Sequence, residues 1–193
     1  SSVTIAGNSY DSLEVLNTGA GNTVTFTGDQ TFGSGAGQGL IVTAGSTVNL
    51  DNTVNTITGN FANNGSLSMG DGGFDTVAVT GDYSQGPGSS VSVDIGVSGG
   101  STISDQIAVS GDVTIDPTST LNVNIVGSPA NYNSGDTFTV ITAGAVNNQF
   151  GSENLPTTNY NWNTTEYNGT EVNVSLSGLV ATVPDCNTLV GSN

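Results

Sequence analysis

The chain has 193 residues, 16 carboxylates and no Lys, Arg or His, so its formal net charge is −16. Only 8% of its residues are charged, against about 25% in an ordinary soluble domain, so the acidity comes from missing cations. Nucleic-acid binding needs cations that neutralise phosphates, so nucleic acid is excluded as a partner, and anionic membrane surfaces, which attract basic segments, are disfavoured. Divalent cations remain candidate partners. No apolar run approaches the length of about 18 residues that a membrane span requires.

The chain start and its cysteine indicate a compartment. The chain begins at Ser1 rather than Met and lacks trypsin cleavage sites, so we expect a processed, secreted, extracellular product. The single Cys186 has no intrachain disulfide partner. An odd cysteine in a secreted chain indicates intermolecular pairing, with an unpaired thiol near the tail as the alternative.

Two short phrases recur along the chain at intervals of about 20 to 30 residues, which is the spacing of repeat architectures. The first is a small-residue turn followed by alternating apolar positions, and its last apolar residue is Phe26, Leu50, Met69, Val93 and Val123 in turn. The second ends in Gly followed by Asn or Asp, at Gly7-Asn8, Gly28-Asp29, Gly59-Asn60, Gly81-Asp82 and Gly111-Asp112. The two phrases alternate along the chain.

Residues 74–96 and 104–127 match without a gap at an offset of 30 residues. Apolar residues alternate with polar ones in both copies, which predicts short strands with Ser92 and Asp94 facing solvent. Many Gly, Thr, Ser and Asn residues disfavour helix. The constant repeat favours a parallel β-solenoid over an antiparallel sandwich. Stacked coils then form apolar ladders, namely Val77 on Ile107, Val79 on Val109, Val91 on Leu121, Val93 on Val123 and Ile95 on Ile125.

The character of the sequence changes near residue 130. We expect solenoid coils over 1–130, a C-terminal capping β segment over 131–179 and an extended tail over 180–193. A solenoid end exposes strand edges and apolar ladder ends, so it needs an atypical cap. The predicted plug is Phe138, Phe150, Trp162 and Tyr167.

The repeats and the stretch "GDTFTVITAGAVNNQF" resemble the passenger domains of bacterial autotransporters and the related autotransporter-associated β-strand repeat proteins. The resemblance covers most of residues 40–178 and implies a right-handed parallel β-helix on a cell surface or in the extracellular space. The stretch "GDGGFDTVAV" (70–79) separately resembles one copy of the nonapeptide that binds calcium in β-roll proteins, with Asp71 in place of its second glycine.

Composition removes most catalytic chemistry. Without His or Lys there is no general base for a Ser or Cys nucleophile, and one Cys cannot build a zinc site. Only carboxylate chemistry of the glycosidase kind survives, because Glu153, Glu166 and Glu171 lie near Trp162, Tyr160 and Tyr167, but surface acids on a cap are the favoured explanation. No cofactor is required. Calcium is a candidate at Asp71, Asp75 and Asp105, with turn-forming Asp as the alternative.

Asn64, Asn163, Asn168 and Asn173 occupy N-x-S/T sequons and are glycosylation candidates.

The sequence predicts a non-enzymatic extracellular structural protein, a filament or matrix subunit that assembles with itself by stacking or strand addition. We expect the tail to contact a neighbouring subunit through Val180, Val183, Leu189 and Val190, with Cys186 locking the joint. The alternative is an adhesin-like passenger that binds glycans or a cell surface through residues 30–39 and the aromatic cap.

Overall fold

The computed structural model describes residues 2–6, 9–10, 13–15, 21–33, 37–51, 54–128, 131–157 and 159–180. Within these ranges the regular structure is β, without an α-helix. No helix of the length and apolarity that a membrane crossing requires occurs in this part of the chain. The strands form three sheets, which we name A, B and C.

Sheet A is 8-stranded, and its path consists of parallel pairs. One further strand, β14 (Ser101–Ser104), pairs antiparallel with β13 after a turn at Gly99 and Gly100, whose φ values of 60° and 82° suit a two-residue hairpin. In order the path is β1 (Ser2–Ala6), β4 (Asn22–Thr27), β7 (Ser46–Asp51), β10 (Ser66–Ser68), β13 (Ser90–Ser98), β17 (Thr120–Val126) and β20 (Ser152–Asn154).

Sheet B is 9-stranded and changes direction near its end. Its first six strands run parallel, and the last of them then pairs antiparallel with a long C-terminal strand. The order is β2 (Ser9–Tyr10), β5 (Gln30–Phe32), β8 (Val54–Ile57), β11 (Thr76–Val79), β15 (Gln106–Val109), β18 (Thr137–Thr142), β23 (Glu171–Leu179) and β21 (Tyr160–Trp162), with β22 (Glu166–Tyr167) also on β23.

Sheet C is 6-stranded and entirely parallel. Consecutive strands of the chain therefore visit sheets A, B and C in turn and then return to A beside the previous strand. This order is compatible with the predicted β-solenoid. We call each passage of the chain through sheets A, B and C a coil. The strands of sheet C are β3 (Leu13–Val15), β6 (Gln38–Val42), β9 (Asn60–Asn63), β12 (Tyr83–Gln85), β16 (Asp112–Ile115) and β19 (Ala145–Asn147).

The predicted ladders are confirmed. Thr76 lies opposite Gln106, Tyr83 opposite Val113 and Ser90 opposite Thr120, so the 30-residue offset holds in all three sheets. The five predicted apolar pairs are register partners in sheets A and B. Each buried aliphatic side chain contributes about 1.5–3 kcal/mol to stability. Because the repeat places apolar residues at the same positions in successive coils, it supplies this stabilisation in each of them.

At Gly59, Gly81 and Gly111 the Gly-Asx phrase forms a corner between sheets B and C, whereas Gly28-Asp29 lies between β4 of sheet A and β5 of sheet B. The Gly81 N–H donates to the carbonyl of Gly59 at 2.9 Å, and the Gly111 N–H donates to that of Gly81 at 3.0 Å. The Asp112 N–H donates to Oδ1 of Asp82 at 2.9 Å, which links successive coils again. A Cβ at Gly111 would lie 2.7 Å from the Gly81 oxygen, so glycine is required there by close approach of two backbones.

Aromatic side chains gather at the C-terminal end of the core. Tyr132 packs against Phe138 and Tyr160 with ring centroids 5.9 and 5.5 Å apart, and Tyr160 packs against Trp162 at 6.0 Å. Phe138 and Phe150 are buried, while Trp162 and Tyr167 are partly buried against the same core. The four predicted plug residues therefore contact the core cluster.

Two expectations need correction. The antiparallel sandwich is wrong for the described residues, whose antiparallel pairs are limited to β13–β14, β18–β23, β21–β23 and β22–β23. Asp94 does not face solvent, since it is 2% exposed. The alternation places it on the outer side of sheet A, but the loop after β10 covers it, and Gly72 contacts its carboxylate.

Candidate functional site

Buried carboxylates cluster where β13, β14 and the 70–75 loop meet. Asp75, Asp94 and Asp105 are 3%, 2% and 0% exposed. Carboxylates are seldom buried without a partner of opposite charge, and this chain has no Lys, Arg or His. The cluster is therefore the most unusual electrostatic feature of the described residues.

Asp105 joins two coils through backbone groups. Its Oδ1 accepts the Asp75 N–H at 2.7 Å, and its Oδ2 accepts the Asp94 N–H at 2.6 Å. Burial raises the pKa of Asp105 to about 8, and the nearby Asp94 and Asp75 charges add to this, while the two backbone N–H groups act in the opposite direction. The Asp105 carboxyl group thus links the backbone of Asp75 to that of Asp94, and its ionised form is destabilised by burial.

Asp94 is held from the other side of the cluster. Its Oδ2 accepts the Gly72 N–H at 2.7 Å, and its Oδ1 accepts from Nδ2 of Asn124 at 3.1 Å. Burial raises the pKa of Asp94, and the Asp71 charge raises it further, against the effect of both hydrogen bonds. The pKa of Asp51 is raised by burial and by Asp71 as well.

The structure brings Asp75 and Asp105 together and leaves Asp71 exposed in the covering loop. Oδ1 of Asp71 accepts the Gly73 N–H at 2.7 Å, which is the local turn bond expected of a turn-forming Asp. Within the described residues no group of three carboxylates is arranged to hold a metal ion. Calcium binding at these three residues therefore stays a prediction without a converged ligand set to support it.

The sequence prediction missed Asp94 as a member of the cluster, and it also missed the half-buried Asp51, which lies near the Asp71 charge. Both occupy the position directly after the last apolar residue of the first phrase, following Leu50 and Val93. Gly70 and Asn124 occupy the same position in other coils, and a Cβ at Gly70 would crowd Asn124 and Asp94. Extending the phrase by one residue would have revealed this column.

The cap acids act as hydrogen-bond acceptors. Glu153 accepts from the Thr165 hydroxyl and from the Tyr167 hydroxyl, the latter at 2.7 Å. Burial and this carboxylate raise the pKa of Tyr167. Glu171 accepts from Nδ2 of Asn168 at 2.9 Å, and hydrogen bonds of this kind lower its pKa. Glu166 is exposed. Glu153 and Glu171 thus fasten the cap strands.

The sequons differ in accessibility. Asn163 and Asn168 are exposed and Asn64 is half-buried. Asn173 is 6% exposed and its Nδ2 donates to Glu171 at 3.1 Å, so a glycan there would require β23 to open.

Val180 ends the described chain with 44% exposure, next to Leu179 at 45%. The other predicted assembly residues, Val183, Cys186, Leu189 and Val190, lie outside the described residues, as do residues 34–36 of the proposed adhesin segment.

No protein-family model matches this chain, and a search of curated proteins finds no match. The resemblance to autotransporter passengers therefore has no independent support.

Proposed function

We propose that this chain is a non-enzymatic extracellular structural protein that assembles with copies of itself into a surface filament or matrix. We further propose that its parallel sheets form a right-handed β-helix. One strand per sheet is added with each turn of the chain, which favours a body that is extended along one axis.

The strand edges at the ends of the sheets carry this proposal. β1, β2 and β3 come first in sheets A, B and C, and within the described residues each pairs on one side only. At the other end β23 covers β18, while β20 and β19 are terminal in sheets A and C. Unpaired strand edges are templates for pairing with another chain.

Composition supports the same function. Histidine and lysine, which activate most nucleophiles, are missing, and Glu153 and Glu171 in the cap are occupied by hydrogen bonds. A net charge of −16 opposes self-association at low ionic strength. Salt screens exposed charges beyond about 10 Å at 0.1 M, so we expect assembly to strengthen as salt is added.

The test is electron microscopy and sedimentation of the full chain across protein concentration and salt. We expect elongated assemblies that grow with both variables. A chain that stays monomeric under all these conditions would refute the proposed function. A monomer that binds a glycan array would favour the adhesin alternative.

A further inference from the structure

One strand of sheet A is longer than the partner that covers it. β17 runs to Val126, but its pairing with β20 ends where Asn122 lies opposite Asn154. Pro156 follows two residues later, and proline has no N–H to donate to a ladder. Along 123–126, no strand of the described chain therefore lies on the side opposite β13.

The unpaired edge lines a groove of about 590 Å³. Val123 and Ile125 belong to one wall, and Leu155, Pro156 and Tyr160 belong to the other. Neighbouring residues of a strand within a sheet direct their backbone groups to opposite sides. The Thr120 N–H donates to Ser89 beside β13, and the Ser119 carbonyl accepts from Gly151 before β20. By this alternation, the C=O of Val123 and both backbone groups of Ile125 face the groove, while the Val123 N–H completes the ladder at Asn154.

The groove has the chemistry of a strand site rather than of a charged-ligand site. Its lining includes exposed amides at Asn124 and Asn154 and apolar contacts from Leu155 and Ile125, and none of the described lining residues has a charged side chain. Its length along 123–126 is about 13 Å at roughly 3.3 Å per residue, which matches four residues of extended peptide. The Tyr160 hydroxyl beside it is buried and has no hydrogen-bond partner among the described residues.

The described chain also ends beside this groove. The Val180 N–H donates at 3.0 Å to the carbonyl of Asn159, which is itself a lining residue. Leu179 and Val180 form an exposed apolar pair there, and residues 181–193 follow. Those 13 residues span at most about 45 Å when extended, which is ample to reach a second molecule.

We propose that the groove along 123–126 is an acceptor slot for a β-strand, filled by residues 181–193 of a second copy of this chain. This proposal rests on the proposed function, and it specifies one contact between two copies in the assembly. Because slot and chain exit lie at the same end, exchange between two copies is reciprocal and gives a two-fold symmetric dimer. The dimer covers both exposed Leu179–Val180 pairs and leaves β1, β2 and β3 for further growth.

Hydrogen exchange of the full wild-type chain, read by mass spectrometry, tests the slot without a substitution. We expect the Ile125 amide, which faces the slot, to exchange freely in dilute monomer and at least tenfold more slowly in the dimer, whereas the Asn124 and Val126 amides, which face β13, stay protected in both. Equal exchange rates in dimer and monomer would overturn the slot while leaving the proposed function intact. Protection at every dilution that disappears when 181–193 is deleted would show that a chain's own tail fills the slot, which also overturns the proposal.

A substitution supplies the second measurement. Ile125→Pro removes a slot-facing N–H and leaves the hydrogen bonds to β13 in place, so we expect at least a tenfold weaker dimer. Ile125→Thr keeps the N–H and is the matched control, which should dimerise like wild type. Equal weakening by both variants would contradict backbone pairing. A chain that never associates, at any salt, would refute the proposed function itself, as distinct from the slot.

Discussion

The Asp105 bridge predicts an unusual dependence of stability on pH. Burial raises the pKa of Asp105 from its ordinary value of 3.8 to about 8, so the folded chain keeps a proton that the unfolded chain has lost. Stability is therefore highest at low pH and falls as pH rises from about 4 through 8. At about 1.4 kcal/mol per pH unit the ceiling is about 6 kcal/mol, and we expect about half, because water follows an ionising group inward.

Asp105→Asn removes the titratable carboxyl group but keeps a side chain of the same shape, so it distinguishes the effect of the charge from that of the two hydrogen bonds. The amide keeps one acceptor, but its Nδ2 meets an N–H donor from Asp75 or Asp94, and one lost hydrogen bond costs about 1–3 kcal/mol at every pH. We expect the variant to be less stable than wild type near pH 4.5 and equally or more stable near pH 8.5. Its stability should depend less on pH.

Urea unfolding followed by circular dichroism at several pH values, under reducing conditions, measures both curves. Asp112→Asn is the control, because it removes an equal formal charge from an exposed position, and its curve should parallel that of wild type. A wild-type stability that is flat or rises between pH 4.5 and 8.5 would refute the reasoning. So would an Asp105→Asn curve with the wild-type slope.

Further substitutions test the packing. Gly111→Ala places a Cβ 2.7 Å from the Gly81 oxygen and should cost about 1–3 kcal/mol in urea unfolding, whereas Gly178→Ala, which meets nothing within 4 Å, should be nearly neutral. Equal effects would contradict the close-packed corner. Asn55 is fully buried, and neither its side-chain Oδ1 nor its Nδ2 has a hydrogen-bond partner among the described residues, so Asn55→Leu should raise the thermal midpoint by removing a penalty of about 1–3 kcal/mol. A lower midpoint would mean that the amide is satisfied in solution.

The repeat-bearing part of the fold was predictable because one physical rule governs it. An ungapped 30-residue offset places each apolar residue beside its copy, and the register of Val77 with Ile107 and of Val93 with Val123 follows from sequence comparison alone. The Gly-Asx corner was visible as a phrase. Its cause, the approach of two backbones at Gly81 and Gly111, emerges only from coordinates.

The features that were missed depend on segments distant in sequence. Period-two alternation gives the side of the sheet on which Asp94 lies, but its burial is decided by Gly72 in a loop from the preceding coil. The length mismatch between β17 and β20 arises near Pro156, about thirty residues after the strand it uncovers. Local sequence patterns do not show which distant segment covers a side chain or leaves a strand edge unpaired.

Electron cryo-microscopy of the assembled full chain tests the central claim most directly. Coils that stack along a filament axis repeat every 4.7–4.9 Å or so, the spacing of neighbouring β-strands. We predict filaments whose diffraction shows a meridional layer line near that spacing. Monodisperse single chains under conditions of high salt and high concentration, or filaments with strands along the axis, would contradict the account.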